Sequence, residues 1–190
     1  KLCDKASRTL PLKGFYSIEQ LCRRYGVPVM HRSSVNSASF LEEIKRLDLD
    51  LIISVAAPQI FKAPLIAIPK KGCINIHNSK LPKYRGMLPN FWQMYHGEKS
   101  VGTTVHMINA GVDDGEILAQ KETEIRPGES LDSLICKTKR FGAAVMMEVI
   151  AGLKAGSLKP RPNSKEDATY FTFPTRQDVA EFRRRGNRLL

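Results

Sequence analysis

Apolar positions along the chain follow two periods, and stretches of the two alternate in order. Leu51-Ile52-Ile53-Ser54-Val55 is a nearly continuous apolar run of β-branched character, as expected of a buried strand, and Cys73-Ile74-Asn75-Ile76 repeats it on a smaller scale. Residues 101–108 and 116–125 read as further strands, 170–173 as a short late one, and 27–30 as another despite Pro28. Helical spacing lies between them. Ser17-Ile18-Glu19-Gln20 has the form of a capping box and opens a helix ending at Gly26; Ser39-Phe40-Leu41-Glu42 is a second, followed by Ile44 and Leu47. Ala56-Ala57-Pro58-Gln59-Ile60 predicts a turn onto a short helix, Pro89 to Tyr95 a helix stopped by Gly97, and residues 131–154 a long helix with Leu134, Ile135, Val145, Met146 and Ile150 apolar. A last helix starts at Pro174-Thr175 and stops at Gly186, and residues 1–16, with Pro11 and Gly14, read as loop. Strand and helix alternate through the first half, which predicts βαβ units and an α/β fold with a mostly parallel sheet flanked by helices.

The second apolar run ends in polar residues. On a strand Asn75 and His77 point to one face while Ile74 and Ile76 point to the other. In open α/β sheets ligands sit beyond the carboxyl ends of the strands, so an amide and an imidazole would share a face at the mouth of a crevice. On spacing alone the pair equally fits a strand end whose polar residues cap a loop.

The loop after His77 changes the picture. Asn75-x-His77 with Ser79-Lys80-Leu81-Pro82-Lys83-Tyr84-Arg85-Gly86 resembles the signature of the folate-dependent formyltransferases, which include methionyl-tRNA, glycinamide ribonucleotide and sugar-nucleotide N-formyltransferases. Gly111-Val112-Asp113-Asp114-Gly115 resembles the family's Leu-Asp-x-Gly loop, with Val112 in place of the leucine. The resemblance covers roughly residues 27 to 155 by motif order and spacing. Asn78 and Lys80 stand where proline and leucine are more usual, which leaves the close substrate assignment open.

The resemblance implies a Rossmann-like formyltransferase fold and an enzyme that moves a formyl group from 10-formyltetrahydrofolate to a primary amine. Such a transfer passes through a tetrahedral species with negative charge on the former carbonyl oxygen, where preorganised donors count most. Asn75 and His77 are then the oxyanion donors, and Asp113 manages protons. The family pattern selects Asp113 over Asp114, which falls at a variable, solvated position. Ala57, Pro58, Gln59 and Ile60, with Asn109 and Val112, correspond to the family's pterin-binding segments. Ser79, Lys83, Arg85 and Gly86 correspond to the acceptor side, although Lys83 and Arg85 equally suit a solvated basic loop. The acceptor so implied is phosphate-bearing: a sugar nucleotide, a ribonucleotide or an initiator tRNA. Two other readings stay open, a formyl-folate hydrolase with water as acceptor and a non-catalytic folate-binding or interaction module.

Bulk properties narrow this little. The 190 residues suit one α/β domain, and the formal net charge of +11 favours anionic partners without choosing among them. Arg183-Arg184-Arg185-Gly186-Asn187-Arg188 could hold phosphate or RNA, or could be a solvated helix end with favourably placed cations. Cys3, Cys22, Cys73 and Cys136 are widely spaced and read as thiols of a reducing, cytoplasmic protein. No run is long enough for a membrane span, and no histidine pair has metal-ligand spacing, so neither membrane nor metal is expected. His106, between Val105 and Met107, reads as a structural histidine, and Trp92 as core. The chain opens on Lys1-Leu2-Cys3-Asp4 without the leading strand of the resembling family, and so reads as amino-terminally truncated. Residues 1–158 are expected to form the catalytic domain. Residues 159–190 are expected to form a Pro-rich linker and a basic tail shorter than the accessory domain of methionyl-tRNA formyltransferases.

Overall fold

The computed structural model describes residues 17–190, so the loop expected over 1–16 lies outside the described residues. The chain divides into two compact units, Lys1–Ser34 and Val35–Leu190. In the first, helix α1 (Ile18–Arg24) starts at Ser17, whose hydroxyl accepts from the Gln20 N–H. Residues 27–30, expected as a strand, form none. A strand needs a neighbour to take its hydrogen bonds, and Pro28 has no N–H to give.

The second unit runs α2 (Ala38–Lys45), β1 (Ile52–Val55), α3 (Ala63–Ile66), β2 (Cys73–His77), β3 (Arg85–Gly86), α4 (Pro89–Tyr95), β4 (Ser100–Met107), β5 (Ile117–Glu124), α5 (Leu131–Ala155), β6 (Tyr170–Phe171) and α6 (Arg176–Arg184). Helix α2 is capped by Ser37 rather than Ser39. The short helix expected directly after β1 comes later, as α3. Asn36 holds the turn extended, its amide donating to the Ile60 carbonyl and its Oδ1 accepting from the Lys62 N–H.

Four strands form one sheet in the order β1-β2-β4-β5. The expectation of a mostly parallel sheet holds for β1 and β2; β2–β4 and β4–β5 are antiparallel. For β4–β5 the reason lies in the connection: the two strands are joined by a loop with no crossover helix, and a chain that returns directly must run antiparallel. Between Val105 and His106 the β4–β5 register skips Leu118, a bulge of the kind that re-aims side chains beside functional sites.

The sheet has one apolar and one polar face. Ile74 and Val105, with Ile76 packed alongside, meet Val145, Met146 and Val149 of α5. Helix α5 comes so close that a Cβ on Gly142 would lie 2.7 Å from the Ile76 Cδ1. A second cluster lies at the other end of α5, where Leu131 and Leu134 pack with Tyr84, Phe91, Trp92, Val101 and Phe182.

Phe182 comes from the segment expected to be linker and tail. That segment belongs to the same unit as the sheet: β6 pairs with β3, and the Phe182 ring is fully buried, stacked on Phe91 at 4.5 Å between centroids. Truncating a buried phenylalanine costs about 3–5 kcal/mol. Phe182→Ala should therefore lower the urea midpoint of unfolding about as much as Phe91→Ala does. A near-neutral Phe182→Ala would show the tail to be an appendage.

Candidate active site

Alternation along β2 turns Asn75 and His77 away from α5, and the antiparallel pairing supplies their neighbours. Asn75 stands opposite His106, and His77 opposite Thr104, so four polar side chains share one face. Loops 78–86 and 108–116 cover that face. In the first, Thr104 Oγ1 donates to the Ser79 carbonyl at 2.6 Å, and the Gln93 amide donates to the Asn78 carbonyl at 2.8 Å. In the second, Asp113 has a φ of 48°, the left-handed region that aspartate tolerates better than most residues. Gly115 lies where a Cβ would come 1.9 Å from the Met107 carbonyl oxygen, so only glycine lets the loop pass over the end of β4.

The turn drives the Asp113 carboxylate into the polar face, where its side chain is 12% exposed. Oδ1 lies 3.5 Å from Asn75 Nδ2 and 3.4 Å from His106 Nε2. Oδ2 accepts from the Gly86 N–H at 2.9 Å and lies 3.5 Å from His77 Nδ1. Burial pushes this carboxyl upward, but the His106 contact, the charge interaction with His77 and the Gly86 N–H outweigh it and hold it at about 2.

The ring nitrogens are told apart by their carbonyl partners, which can only accept. His77 Nε2 lies 2.7 Å from the Tyr84 carbonyl, so Nε2 carries the proton and Nδ1 faces Asp113. His106 Nδ1 lies 2.8 Å from the Met107 carbonyl, so its Nε2 is the nitrogen facing Asn75, at 3.3 Å, and Asp113. Burial lowers the His77 pKa; the Asp113 charge and the Tyr84 carbonyl pull the other way without overcoming it. His77 is therefore neutral at pH 7.

Asn75, His77 and Asp113 thus come together, and His106 joins them. Its apolar sequence neighbours mark it as structural; only the register that sets residue 106 opposite residue 75 reveals it. Gly86 contributes its backbone N–H, and Lys83 is exposed on the loop. Two residues expected on the acceptor side are otherwise engaged. Ser79 is completely buried, its hydroxyl donating to the Lys83 carbonyl at 2.8 Å, so it braces the loop. Arg85 is buried as well, with Nη1 2.7 Å from Asp114 Oδ1 and Nη2 donating to Asn163 Oδ1 at 3.0 Å. Asp114, expected to be solvated, is the partner of that guanidinium, its side chain 18% exposed. Ala57, Pro58 and Ile60 are exposed on the turn after β1, and Gln59 there accepts from the Val35 N–H. Asn109 and Val112 are exposed at the start of the Asp113 loop. The two segments leave from opposite ends of β2, since Val55 pairs with Ile76 while the Ile108 N–H donates to the Cys73 carbonyl.

A profile described as formyl transferase matches residues 6–150. The chain belongs to the formyl transferase family. It is 35% identical over 153 residues to the methionyl-tRNA formyltransferase of Trichlorobacter lovleyi, a match covering 80% of this chain and 48% of that protein. The chain spans about half the length of the curated relatives it matches. Among solved structures, the N-formyltransferase from Helicobacter canadensis, in complex with folinic acid and dTDP-3-aminofucose, shares the fold with a TM-score of 0.68 at 22% identity; the match covers 85% of this chain and 55% of that one. Glycinamide ribonucleotide transformylase 1 from Symbiobacterium toebii also has a TM-score of 0.68, at 24% identity, over 76% of this chain and 74% of its own. The Rossmann-like α/β class of the family is the one seen here, with the central sheet flanked by helices.

The cluster around Asp113 makes stability depend on pH in a defined direction. His77 is depressed, so its neutral form stabilises the fold and that contribution fades as pH falls below about 6.5, its unfolded value. Asp113 is depressed too, so its contribution is present above 3.8 and fades as pH falls towards about 2. Holding a carboxyl near 2 instead of 3.8 corresponds to roughly 2 kcal/mol. Urea unfolding followed against pH should show two successive losses on acidification, and Asp113→Asn should diminish the lower one, to which Glu122, Glu129 and Asp178 also contribute. An unchanged lower limb in that variant would show Asp113 to be unpaired in solution.

Proposed function

We propose that this chain carries the centre of a folate-dependent formyltransferase, moving a formyl group from 10-formyltetrahydrofolate to a primary amine. The observation that carries the reading is the convergence of Asn75, His77, His106 and Asp113 on one face of the sheet. The folate donor fits the residues present: amide and imidazole groups suit a carbonyl oxygen, and the exposed side chain of Val112, next to Asp113, offers apolar surface to a planar ring. When bound, the donor supplies the activated one-carbon group at the formyl oxidation level.

Asn75 offers its carboxamide N–H groups to the oxygen on which charge develops. Its contacts to His106 and Asp113 are long, 3.3 and 3.5 Å, and are readily exchanged for a stronger acceptor. Asp113, held at about 2, stays ionised at neutral pH and is too weak a base to take the proton of an amine. The proton goes instead to His77 at Nδ1, which is unprotonated in the neutral ring and lies 3.5 Å from Asp113 Oδ2. The carboxylate then stabilises the imidazolium, whose charge favours the oxyanion. The ring's Nδ1 proton passes to the departing folate nitrogen as the bond from that nitrogen to the formyl carbon breaks and the carbonyl re-forms on the amine. Asp113 thus manages protons through the ring beside it.

The acceptor we favour is the amino group of a charged methionyl-tRNA. Support comes from the curated relatives, which are methionyl-tRNA formyltransferases, and from the net charge of +11, which suits a polyanion. A cytoplasmic location goes with that reading, and no helix among the described residues is long and apolar enough to cross a membrane.

Incubating the intact protein with formyl-folate and methionyl-tRNA should give formylated tRNA. Folate release without any amine would point to hydrolysis, and absence of release would refute catalysis altogether. Asn75→Ala should lower kcat by roughly two to three orders of magnitude, the loss typical of an oxyanion donor, with little change in folate binding because the charge exists only in the transition state. An unaltered kcat in Asn75→Ala would remove the donor role.

A further inference from the structure

Between α5 and β6 the chain passes Asn163, whose side chain makes three hydrogen bonds to residues about fifty and eighty positions earlier. Nδ2 donates to the Asp113 carbonyl at 2.9 Å and to the Gly115 carbonyl at 3.1 Å, while Oδ1 accepts from Arg85 Nη2 at 3.0 Å. The two carbonyls belong to the left-handed turn that aims the Asp113 carboxylate. A non-glycine residue at a φ of 48° persists only where its surroundings over-determine it, and both Nδ2 hydrogens are committed to that turn. The other end of the amide holds the loop of β3. Arg85 precedes Gly86, whose N–H binds Asp113 Oδ2, and Arg85 itself is paired with Asp114 at 2.7 Å. One side chain therefore ties together the two loops that meet at the carboxylate.

We propose that Asn163 is a positioning residue for the transfer centre, setting the Asp113 carboxylate against Asn75, His77 and His106 by clamping the turn that carries it. The proposal rests on reading that cluster as the formyl-transfer centre. Asn163 touches neither donor nor acceptor; it acts through Asp113. Removing its amide leaves the Asp113 and Gly115 carbonyls without their shared donor and the Arg85 guanidinium without one acceptor. The turn is then free to relax by a fraction of an ångström to an ångström, a displacement that can cost on the order of a hundredfold in rate. The groups that face His77 are Asp113, the Tyr84 carbonyl, His106 and Arg85. Of the four, Asp113 is the one whose charge draws a proton onto the ring.

The test compares Asn163→Ala and Asn163→Gln with the unaltered intact protein in two measurements. One is steady-state formyl transfer from formyl-folate to methionyl-tRNA. The other is the ring-nitrogen NMR titration of His77 with no substrate present. In Asn163→Ala the His77 titration should move to lower pH, because the carboxylate that favours the protonated ring has loosened. In the same variant kcat should fall roughly ten- to a hundredfold with the KM for formyl-folate within about twofold, the pattern of a lost transition-state arrangement. Asn163→Gln keeps the donors and the acceptor and should recover a measurable part of both. An unmoved His77 titration in a folded Asn163→Ala would overturn the proposal, leaving Asn163 as a structural tie. A moved titration in a protein that transfers no formyl group at all would uphold the positioning role and refute the formyltransferase reading, so the two failures are distinct.

Discussion

One buried negative charge organises the functional half of this molecule. A carboxylate with its side chain only 12% exposed is unfavourable unless its oxygens are occupied, and those of Asp113 face an amide, two imidazoles and a backbone N–H. These groups arrive from β2, β4 and the loop of β3, so the requirement is met only if three elements hold their relative positions. That in turn explains the division of the sheet. The face that meets α5 is apolar and supplies packing energy, which leaves the other face free to be polar.

Adjacent acidic residues meet opposite fates here, and the turn between them is the cause. Asp113, in the left-handed conformation, points towards the imidazoles, while Asp114 pairs with the buried Arg85. Neither carboxylate is spare. Breaking the Asp114 pair would leave a guanidinium buried without its counter-charge, whereas changing Asp113 would remove the carboxylate that faces Asn75 and the Gly86 N–H. The two loops are thus held by one ion pair and one shared amide, close to the atoms proposed to react.

Much of this was legible in the chain. The Asn75-x-His77 spacing placed both side chains on one face because alternation along a strand is a local rule, and the apolar runs of β1, β2 and α5 were marked by their period. Register and direction are not local. Nothing in residues 101–125 says that β4 and β5 run antiparallel to their neighbours, and without that pairing His106 looks like an ordinary core histidine. The same limit applies to the loop after β2: its polar residues give no local sign of how far it folds down, with Ser79 held by Thr104 and Arg85 against Asp114. The strand and helix of the tail were legible in its apolar run and its caps, but that β6 pairs with β3, about eighty-five residues earlier, was not.

The strap formed by residues 163–172 also bears on how the chain is made. The Tyr84 N–H donates to Thr169, the Arg85 N–H to the Thr169 carbonyl, and the Trp92 indole to the Thr172 carbonyl, partners separated by roughly eighty residues. On a ribosome all four sheet strands, the last ending at Glu124, are made before those partners, so the sheet can pair while its polar face still lacks the strap. Until the strap arrives, Asp113 can remain in water, the environment in which an unpaired carboxylate is most stable. The order of synthesis therefore brings the clamp on the Asp113 turn last, after every group that faces its carboxylate has been made.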